Sequence, residues 1–252
     1  MKKFLFLLLL IANSLAAQNI DSLFNSANEL YRNGNYDKAI ESYKQILEQD
    51  AISDELFYNL GNSYYKLNKV GPSIFYYEKA LQLNPLNQDV KNNLVFAKRL
   101  ALDNIEEVPK TFLQKFNANY LQKLSYNEWA VVTIVFVLLS AVLFLLFYFA
   151  YTPTKKRFFF TLAIISFILF VAAISITYNQ YNFSKNTKEA IVFAAKTEVR
   201  NAPTLNSEEV FTLHEGTKVI VLDAVDNWKK IKLADGKIGW IISDEIKMLD
   251  NN

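Results

Sequence analysis

The chain has 252 residues, a net charge of +2 at pH 7, one histidine and no cysteine. Without cysteine it forms no disulfide and performs no thiol redox chemistry, and its near-neutral charge provides no surface for a polyanion such as nucleic acid. With 20 Phe and 14 Tyr, the composition fits a membrane protein whose helices pack through aromatic side chains.

The N-terminal residues 1–17 have the pattern of a secretory signal peptide. Lys2 and Lys3 precede a short apolar run, and small residues follow it ahead of Gln18. This order of basic start, apolar core and small residues is typical of a cleaved leader. An uncleaved first membrane helix is the alternative. Both alternatives place the segment after Gln18 outside the cytoplasm.

Residues 19–103 contain an internal repeat with a period of 34. Ala27 aligns with Gly61, Tyr31 with Tyr65, and Tyr43 with Tyr77. Between these positions the apolar residues recur at helical spacing, so the segment is predicted to consist of paired helices. A final helix over Asn87–Asp103 is predicted to cap the exposed end of the stack.

The motifs of this segment resemble the tetratricopeptide (TPR) repeat. They are Gly34-Asn35-Tyr36-Asp37-Lys38-Ala39 followed by Tyr43, and Tyr77-Glu78-Lys79-Ala80-Leu81 followed by Asn84-Pro85. The second repeat departs from the family pattern at Val70 and Ser73. The resemblance implies an all-α solenoid whose concave face binds an extended peptide or a partner helix.

The TPR resemblance also indicates which side chains line the concave groove. The expected partner-binding residues are Phe24, Asn28, Tyr31, Tyr58, Asn62 and Tyr65. Asparagine amides can pair with a peptide backbone, and aromatic rings supply contact area at low entropic cost. The alternative is that these residues only cover the helix surface or contact a neighbouring chain. A clamp for a free carboxylate is disfavoured, because Phe24, Asp89 and Asn93 replace its basic residues.

Residues 104–128 form a linker with apolar side chains at helical spacing. Its apolar positions are Phe112, Leu113, Phe116, Tyr120, Leu121 and Leu124. We predict an amphipathic helix, which either lies on the membrane surface or packs against the repeats or a membrane partner. Glu106 and Glu107 are interpreted as a solvated pair rather than as catalytic carboxylates.

Two charge-free apolar stretches follow, at residues 129–151 and 158–179. At about 1.5 Å rise per residue, each is long enough to cross a hydrocarbon core of roughly 30 Å, so they are predicted to form a transmembrane hairpin. The loop at 152–157 carries three cations, which favours the cytoplasmic side. Both soluble parts are then expected outside the cytoplasm, and membrane lipid is an expected partner of the chain.

The pattern changes to short strands in residues 189–250. Apolar and β-branched runs near 190, 210, 218, 228 and 239 predict five strands, with a hairpin connection at Ala234–Lys237. A polar tether, Asn182–Lys188, is expected before them. Five short strands in about sixty residues suggest a small closed or nearly closed barrel.

The motifs of this C-terminal region resemble a bacterial SH3 domain. They are Glu198–Pro203, Leu213–Gly216, Asn227–Ile231 and Asp235–Ile241. The resemblance implies a module that binds cell-wall peptides or proteins. Trp240 is predicted to be a core residue. Trp228 is the candidate ligand-binding residue, with a core position as the equal alternative.

The sequence shows no catalytic or metal-binding set. His214 is the single histidine, and no metal-ligand spacing, phosphate-binding glycine loop or nucleophile motif occurs. The membrane stretches carry no ionisable side chain of the kind that marks a transport path. We therefore expect a protein that is not an enzyme and has no cofactor and no metal. Thr133, Ser140, Thr161, Ser166 and Ser175 are expected to assist helix packing.

The order of the segments resembles the BatE proteins of Bacteroides aerotolerance (Bat) operons. That resemblance implies a multidomain scaffold in the bacterial inner membrane, with the TPR repeats and the SH3-like barrel in the periplasm. It also implies partners among the Bat membrane proteins that carry von Willebrand factor A-type domains. The rival prediction is a peptidoglycan-binding anchor that acts through the SH3-like domain. A membrane sensor is a third hypothesis, but the loop at 152–157 is too short to hold an output domain.

Overall fold

The computed structural model describes residues 20–106, 108–109 and 111–249, so the predicted signal peptide lies outside the described residues. The described chain falls into two compact units. The first combines the repeat region up to Val108 with the C-terminal region from Glu189 onward. The second is Pro109–Lys188.

The repeat region is all-helical. Its helices are α1 at 20–32, α2 at Tyr36–Leu47, α3 at Asp54–Lys66, α4 at Val70–Leu83 and α5 at Gln88–Lys98. Gly34 follows α1 with φ +77°, a left-handed conformation that glycine adopts without a Cβ penalty. The side chains of Ser53 and Asn87 cap α3 and α5 by accepting backbone N–H bonds. The predicted repeats are confirmed, and the last helix ends earlier than expected.

The close approach of α3 and α4 depends on Gly61. A Cβ added there would lie 2.5 Å from Cδ1 of Tyr77, whose side chain is fully buried. The Ser73 hydroxyl donates a 2.9 Å hydrogen bond to the Gly61 carbonyl. The small residues that the 34-residue alignment placed in equivalent positions therefore have a packing role, since they let the two backbones meet.

The C-terminal region forms a seven-stranded sheet with strand order β3-β2-β6-β5-β4-β1-β7. The strands are β1 Lys188–Val192, β2 Lys196–Arg200, β3 Glu209–His214, β4 Lys218–Val225, β5 Trp228–Lys232, β6 Ile238–Ile242 and β7 Ile246–Met248. The five predicted strands correspond to β1, β3, β4, β5 and β6. The antiparallel β5–β6 pair confirms the predicted hairpin, with Gly236 in its turn at φ +94°.

Apolar contacts join the β-domain to the repeats. Ile191 and Leu249, both fully buried, belong to the same apolar cluster as the repeat helices. The rings of Phe75 on α4 and Phe193 after β1 meet edge to face at a centroid distance of 5.5 Å. A Cβ on Gly216 would lie 2.9 Å from Cδ1 of Ile74. The β-domain keeps a core of its own, and Ile191, Phe193 and Leu249 extend the core of the repeats across the contact.

Charged pairs surround that apolar contact. The nearly buried Glu78 carboxylate on α4 accepts from Lys218 of β4 at 2.9 Å and lies 2.8 Å from Lys98. Lys218 also lies 2.8 Å from Glu189. Burial alone would raise the pKa of Glu78, but the two lysines hold it below its usual range. The ion pairs thus compensate charges that packing takes out of water.

A second polar contact links Asp103 with the β3–β4 turn. Its carboxylate accepts from the His214 backbone N–H at 2.7 Å and from the Thr217 hydroxyl at 2.5 Å, and it lies 2.7 Å from Nδ1 of His214. Burial would raise the pKa of Asp103, but these hydrogen bonds lower it. The single histidine of the chain therefore belongs to the contact between repeats and β-domain.

The second unit is helical. It contains α6 at Phe112–Phe116, a continuing π-helical turn at Asn117–Leu121, α7 at Tyr126–Phe149 and α8 at Pro153–Asn186. Helices α7 and α8 are long and apolar enough to cross a membrane. The expected tether before the β-domain is wrong in its first part, because α8 continues as a helix to Asn186.

Small hydroxyl side chains join α7 to α8. Thr133 and Thr177 hydroxyls lie 3.2 Å apart, and the Ser166 hydroxyl donates to the Phe136 carbonyl at 3.0 Å. Ser140 makes a longer 3.4 Å bond to Ala163. The predicted packing role is confirmed for Thr133, Ser140 and Ser166. Thr161 and Ser175 instead bond to carbonyls of their own helix.

Candidate interaction sites

A repeating asparagine–tyrosine network connects the repeat helices. Asn28 Oδ1 accepts from the Tyr43 hydroxyl at 2.6 Å and from Asn59 Nδ2 at 3.0 Å. Thirty-four residues later, Asn62 Oδ1 accepts from the Tyr77 hydroxyl at 2.7 Å and from Asn93 Nδ2 at 2.8 Å. The sequence repeat is therefore also a repeat of hydrogen bonds. We call these bonds of Asn28, Asn62 and their partners the Asn–Tyr network.

Each tyrosine hydroxyl donates to an asparagine oxygen. Burial raises the pKa of Tyr43 and of Tyr77. Because each asparagine oxygen accepts two hydrogen bonds, its Nδ2 lies on the other side of the amide group. The described residues supply no acceptor for Nδ2 of Asn28 or of Asn62. Two oriented amide donors, one per repeat, are thus free to pair with a ligand.

Aromatic side chains accompany the two donors. Phe24 and Tyr58 occupy equivalent positions, and their rings lie 5.9 Å from Tyr43 and 6.2 Å from Tyr77. Burial and the nearby Tyr36 and Tyr58 hydroxyls raise the pKa of Tyr31. The rings of Phe24 and Tyr58 pack against the second helix of each pair, and because they are half-buried, part of each ring stays exposed.

All six residues expected in the groove are half-buried in the structure, as are Asn59 and Asn93. The residues Asn59 and Asn93 complete the network but were absent from the expected set. Their 34-residue spacing, shared with Asn25, was the signal that could have identified them. That these residues bind a partner stays a prediction.

The two candidate tryptophans of the β-domain differ in exposure. Trp228, the expected ligand-binding residue, is 9% exposed and lies at the start of β5. Trp240, which was expected in the core, is half-buried, and the Lys230 ammonium lies 5.9 Å from its ring centroid. Their burial favours the core alternative for Trp228 and makes Trp240 the more accessible ring of the pair.

In the described part of the chain, His, Asp and Glu side chains form no cluster of three or more that could hold a metal ion. Glu78 and Asp103, whose pKa values are lowered, are engaged in contacts between repeats and β-domain. Asp235, whose pKa is also lowered, accepts from the Lys237 backbone in the β5–β6 turn. The polar groups of the Asn–Tyr network are amides and phenols, which suit recognition.

Comparison with protein families assigns both soluble parts. Residues 27–68 match the TPR repeat, residues 55–87 match the tetratricopeptide repeat, and residues 195–247 match the bacterial SH3 domain. A comparison with curated proteins found no match. The protein thus combines TPR repeats, two apolar helices and a bacterial SH3 domain. Such domains are typically non-catalytic interaction modules, which suggests protein–protein or peptidoglycan binding.

Proposed function

We propose that this protein is a non-enzymatic scaffold of the bacterial inner membrane, which assembles envelope proteins on its TPR groove. The observation that carries the proposal is the Asn–Tyr network, which holds the amide donors of Asn28 and Asn62 in equivalent orientations beside half-buried aromatics. An extended peptide offers carbonyl acceptors along its backbone and can pair with such donors without a charge of its own.

The contact between repeats and SH3 domain supports a common side for both. Because the SH3 domain packs on the repeats, we infer that the chain that leaves at Val108 returns at Glu189 to the same side of the membrane. Two apolar helices permit that return. With the cationic loop in the cytoplasm, as the positive-inside rule favours, both soluble parts lie in the periplasm.

The order of the segments also supports a particular set of partners. A leader, two TPR repeats, a membrane hairpin and an SH3-like module in this order resemble the BatE proteins. We therefore propose the Bat membrane proteins with von Willebrand factor A-type domains as partners, in an aerotolerance or stress-related complex.

The scaffold proposal is tested by purifying the full-length protein from its native membrane in detergent and identifying bound proteins by mass spectrometry. The informative variant combines Asn28→Asp with Asn62→Asp. Each aspartate keeps an oxygen that accepts from Tyr43 or Tyr77 but lacks the amide donors. With about 0.5–1.5 kcal/mol per lost hydrogen bond, partner recovery should fall about tenfold or more.

The matched control is Gln45→Glu, which adds a negative charge at an exposed position of α2. It should leave partner recovery unchanged. Far-UV circular dichroism and thermal unfolding of all variants establish that the repeats stay folded. Equal recovery of the same partners by the aspartate variant and the wild type would contradict the groove proposal.

The alternative is a peptidoglycan-binding anchor, favoured by the match of residues 195–247 to the bacterial SH3 domain. Because Trp228 is buried, its replacement by alanine would disturb the fold together with any binding. Trp240→Ala removes the more accessible ring instead. Loss of binding to purified peptidoglycan by Trp240→Ala, with no partner recovered through the repeats of the wild type, would favour the anchor over the scaffold.

A further inference from the structure

The short helical segment Phe112–Leu121 leaves its large apolar side chains exposed. The exposed fractions are 81% for Phe112, 75% for Leu113, 46% for Phe116 and 63% for Tyr120. Thr111 and Gln114 form a capping box that fixes the start of this segment. An apolar face on an ordered helix normally has an occupant.

Hydrogen bonds place this segment beside the ends of the two apolar helices. The Leu121 carbonyl accepts from the Trp129 indole N–H at 2.8 Å and from the Gln180 amide. Trp129 begins the charge-free stretch of α7, and Gln180 follows the end of the stretch in α8. The segment therefore lies at the level where the hydrophobic part of the hairpin ends.

A crevice between this segment and α8 has polar and apolar walls. Its volume is about 230 Å³, and it is lined by Asn117, Leu121, Gln122, Ser175, Ile176, Asn179, Gln180 and Phe183. Four of these side chains are amides, which find partners in the headgroup region of a bilayer but not in its hydrocarbon core. This lining supports a position in the interfacial layer.

The charges around the segment complement an anionic lipid surface. Lys115, Lys123 and Lys185 are all exposed at this end of the hairpin. Lys123 lies over the Tyr120 ring, at 6.0 Å from its centroid. Glu128 is the single carboxylate side chain in the sequence from Pro109 to Lys188, and it caps α7.

We infer that the Phe112–Leu121 segment lies in the membrane interface, with its apolar face in the upper acyl region and with Lys115 and the flanking Lys123 against anionic headgroups. The occupant of the exposed face is thus lipid rather than a partner protein. A helix with one apolar face and a lysine-bearing polar side has the chemistry of interfacial anchors. Its continuity with α7 holds it at the surface without a separate binding event.

Depth measurements on the full-length protein in liposomes test this inference. The chain contains no cysteine, so single cysteines accept a spin label at one defined position. The test position is Leu113→Cys on the apolar side, and the matched control is Asn119→Cys, at an exposed polar residue of the same segment. Both positions are exposed in the structure. Leu138→Cys, within α7, serves as the reference for the hydrocarbon core.

We expect the label at Leu113 to be more accessible to oxygen, which partitions into lipid, than to a water-soluble nickel chelate. The label at Asn119 should show the reverse order. Equal access of the nickel chelate to both labels would overturn the inference. A lipid-inaccessible label at Leu138 would instead contradict the membrane span, so that the two failures can be told apart.

The headgroup preference is measured with the same Leu113 label. Liposomes of phosphatidylcholine alone are compared with liposomes that contain about 30% phosphatidylglycerol. The anionic lipid should increase the depth of the label, and Lys115→Gln with Lys123→Gln should reduce that increase at least twofold. A depth that is independent of the anionic lipid would overturn the charge part of the inference.

Discussion

Replacing Gly216 by alanine should reveal how much the contact between SH3 domain and repeats contributes to stability, beyond the effect of backbone strain. Gly216 has φ +89°, and a Cβ there would lie 2.9 Å from Cδ1 of Ile74 and 3.2 Å from Cγ1 of Val70. Ile74 is fully buried, so its side chain has little room to move. Gly236 has a similar φ of +94°, but a Cβ there would have no other atom within 4 Å.

An alanine at either glycine therefore incurs backbone strain, but only an alanine at Gly216 also overpacks the core. A left-handed conformation costs a non-glycine residue about 1–2 kcal/mol, which both Gly216→Ala and Gly236→Ala incur. Overpacking against a filled core adds about 1–3 kcal/mol, which only Gly216→Ala incurs. We expect Gly216→Ala to lower the free energy of unfolding of the SH3 domain by about 1–3 kcal/mol more than Gly236→Ala does.

Hydrogen exchange with mass spectrometry on the full-length protein in detergent provides the assay, because it reports each element separately. Gly216→Ala should reduce protection in both the SH3 strands and α4. Gly236→Ala should affect the strands alone. Equal effects of the two substitutions, with α4 unchanged in both, would refute the packing of the SH3 domain on α4.

Three further substitutions test the same structure. Lys218→Met leaves Glu78 with a single lysine and removes the ion pair of Glu189. Because Glu78 keeps Lys98, the loss should be about 1–3 kcal/mol, less than the roughly 3–5 kcal/mol of a fully orphaned charge. Urea unfolding measures the loss, and no change would contradict the ion-pair contact. The lowered folded-state pKa of Asp103 means that its carboxylate contributes stability above about pH 4, which is lost as the pH falls through that pKa. The difference in unfolding free energy between wild type and Asp103→Asn should therefore shrink at acid pH. A difference that stays constant with pH would argue against a contribution of the Asp103 charge. Gly61→Ala places a methyl group against the Tyr77 ring and should lower the free energy of unfolding by about 1–3 kcal/mol. The loss is measured as reduced hydrogen-exchange protection in α3 and α4. A variant as stable as the wild type would disprove the close packing.

Local patterns in the sequence were sufficient for the elements and their classes. The 34-residue period predicted the paired helices, because each repeat buries the same helix face. The charge-free stretches predicted α7 and α8, because length and apolar content are the criteria for a membrane helix. Alternation and turn residues predicted five of the strands. The expected set missed β2 (Lys196–Arg200), whose polar composition hides its alternation, and β7 (Ile246–Met248), which is only three residues long.

The sequence alone determined which segments are repeat, long apolar helix and β-domain, because these depend on periodicity and composition within a few tens of residues. Tertiary structure alone decided that the SH3 domain packs on α4, since Gly71 and Glu215 meet across 144 residues of chain. It also decided that Trp228 is buried while Trp240 is partly accessible. Burial and long-range contacts depend on how elements distant in sequence pack together, which a periodic pattern within one element does not specify.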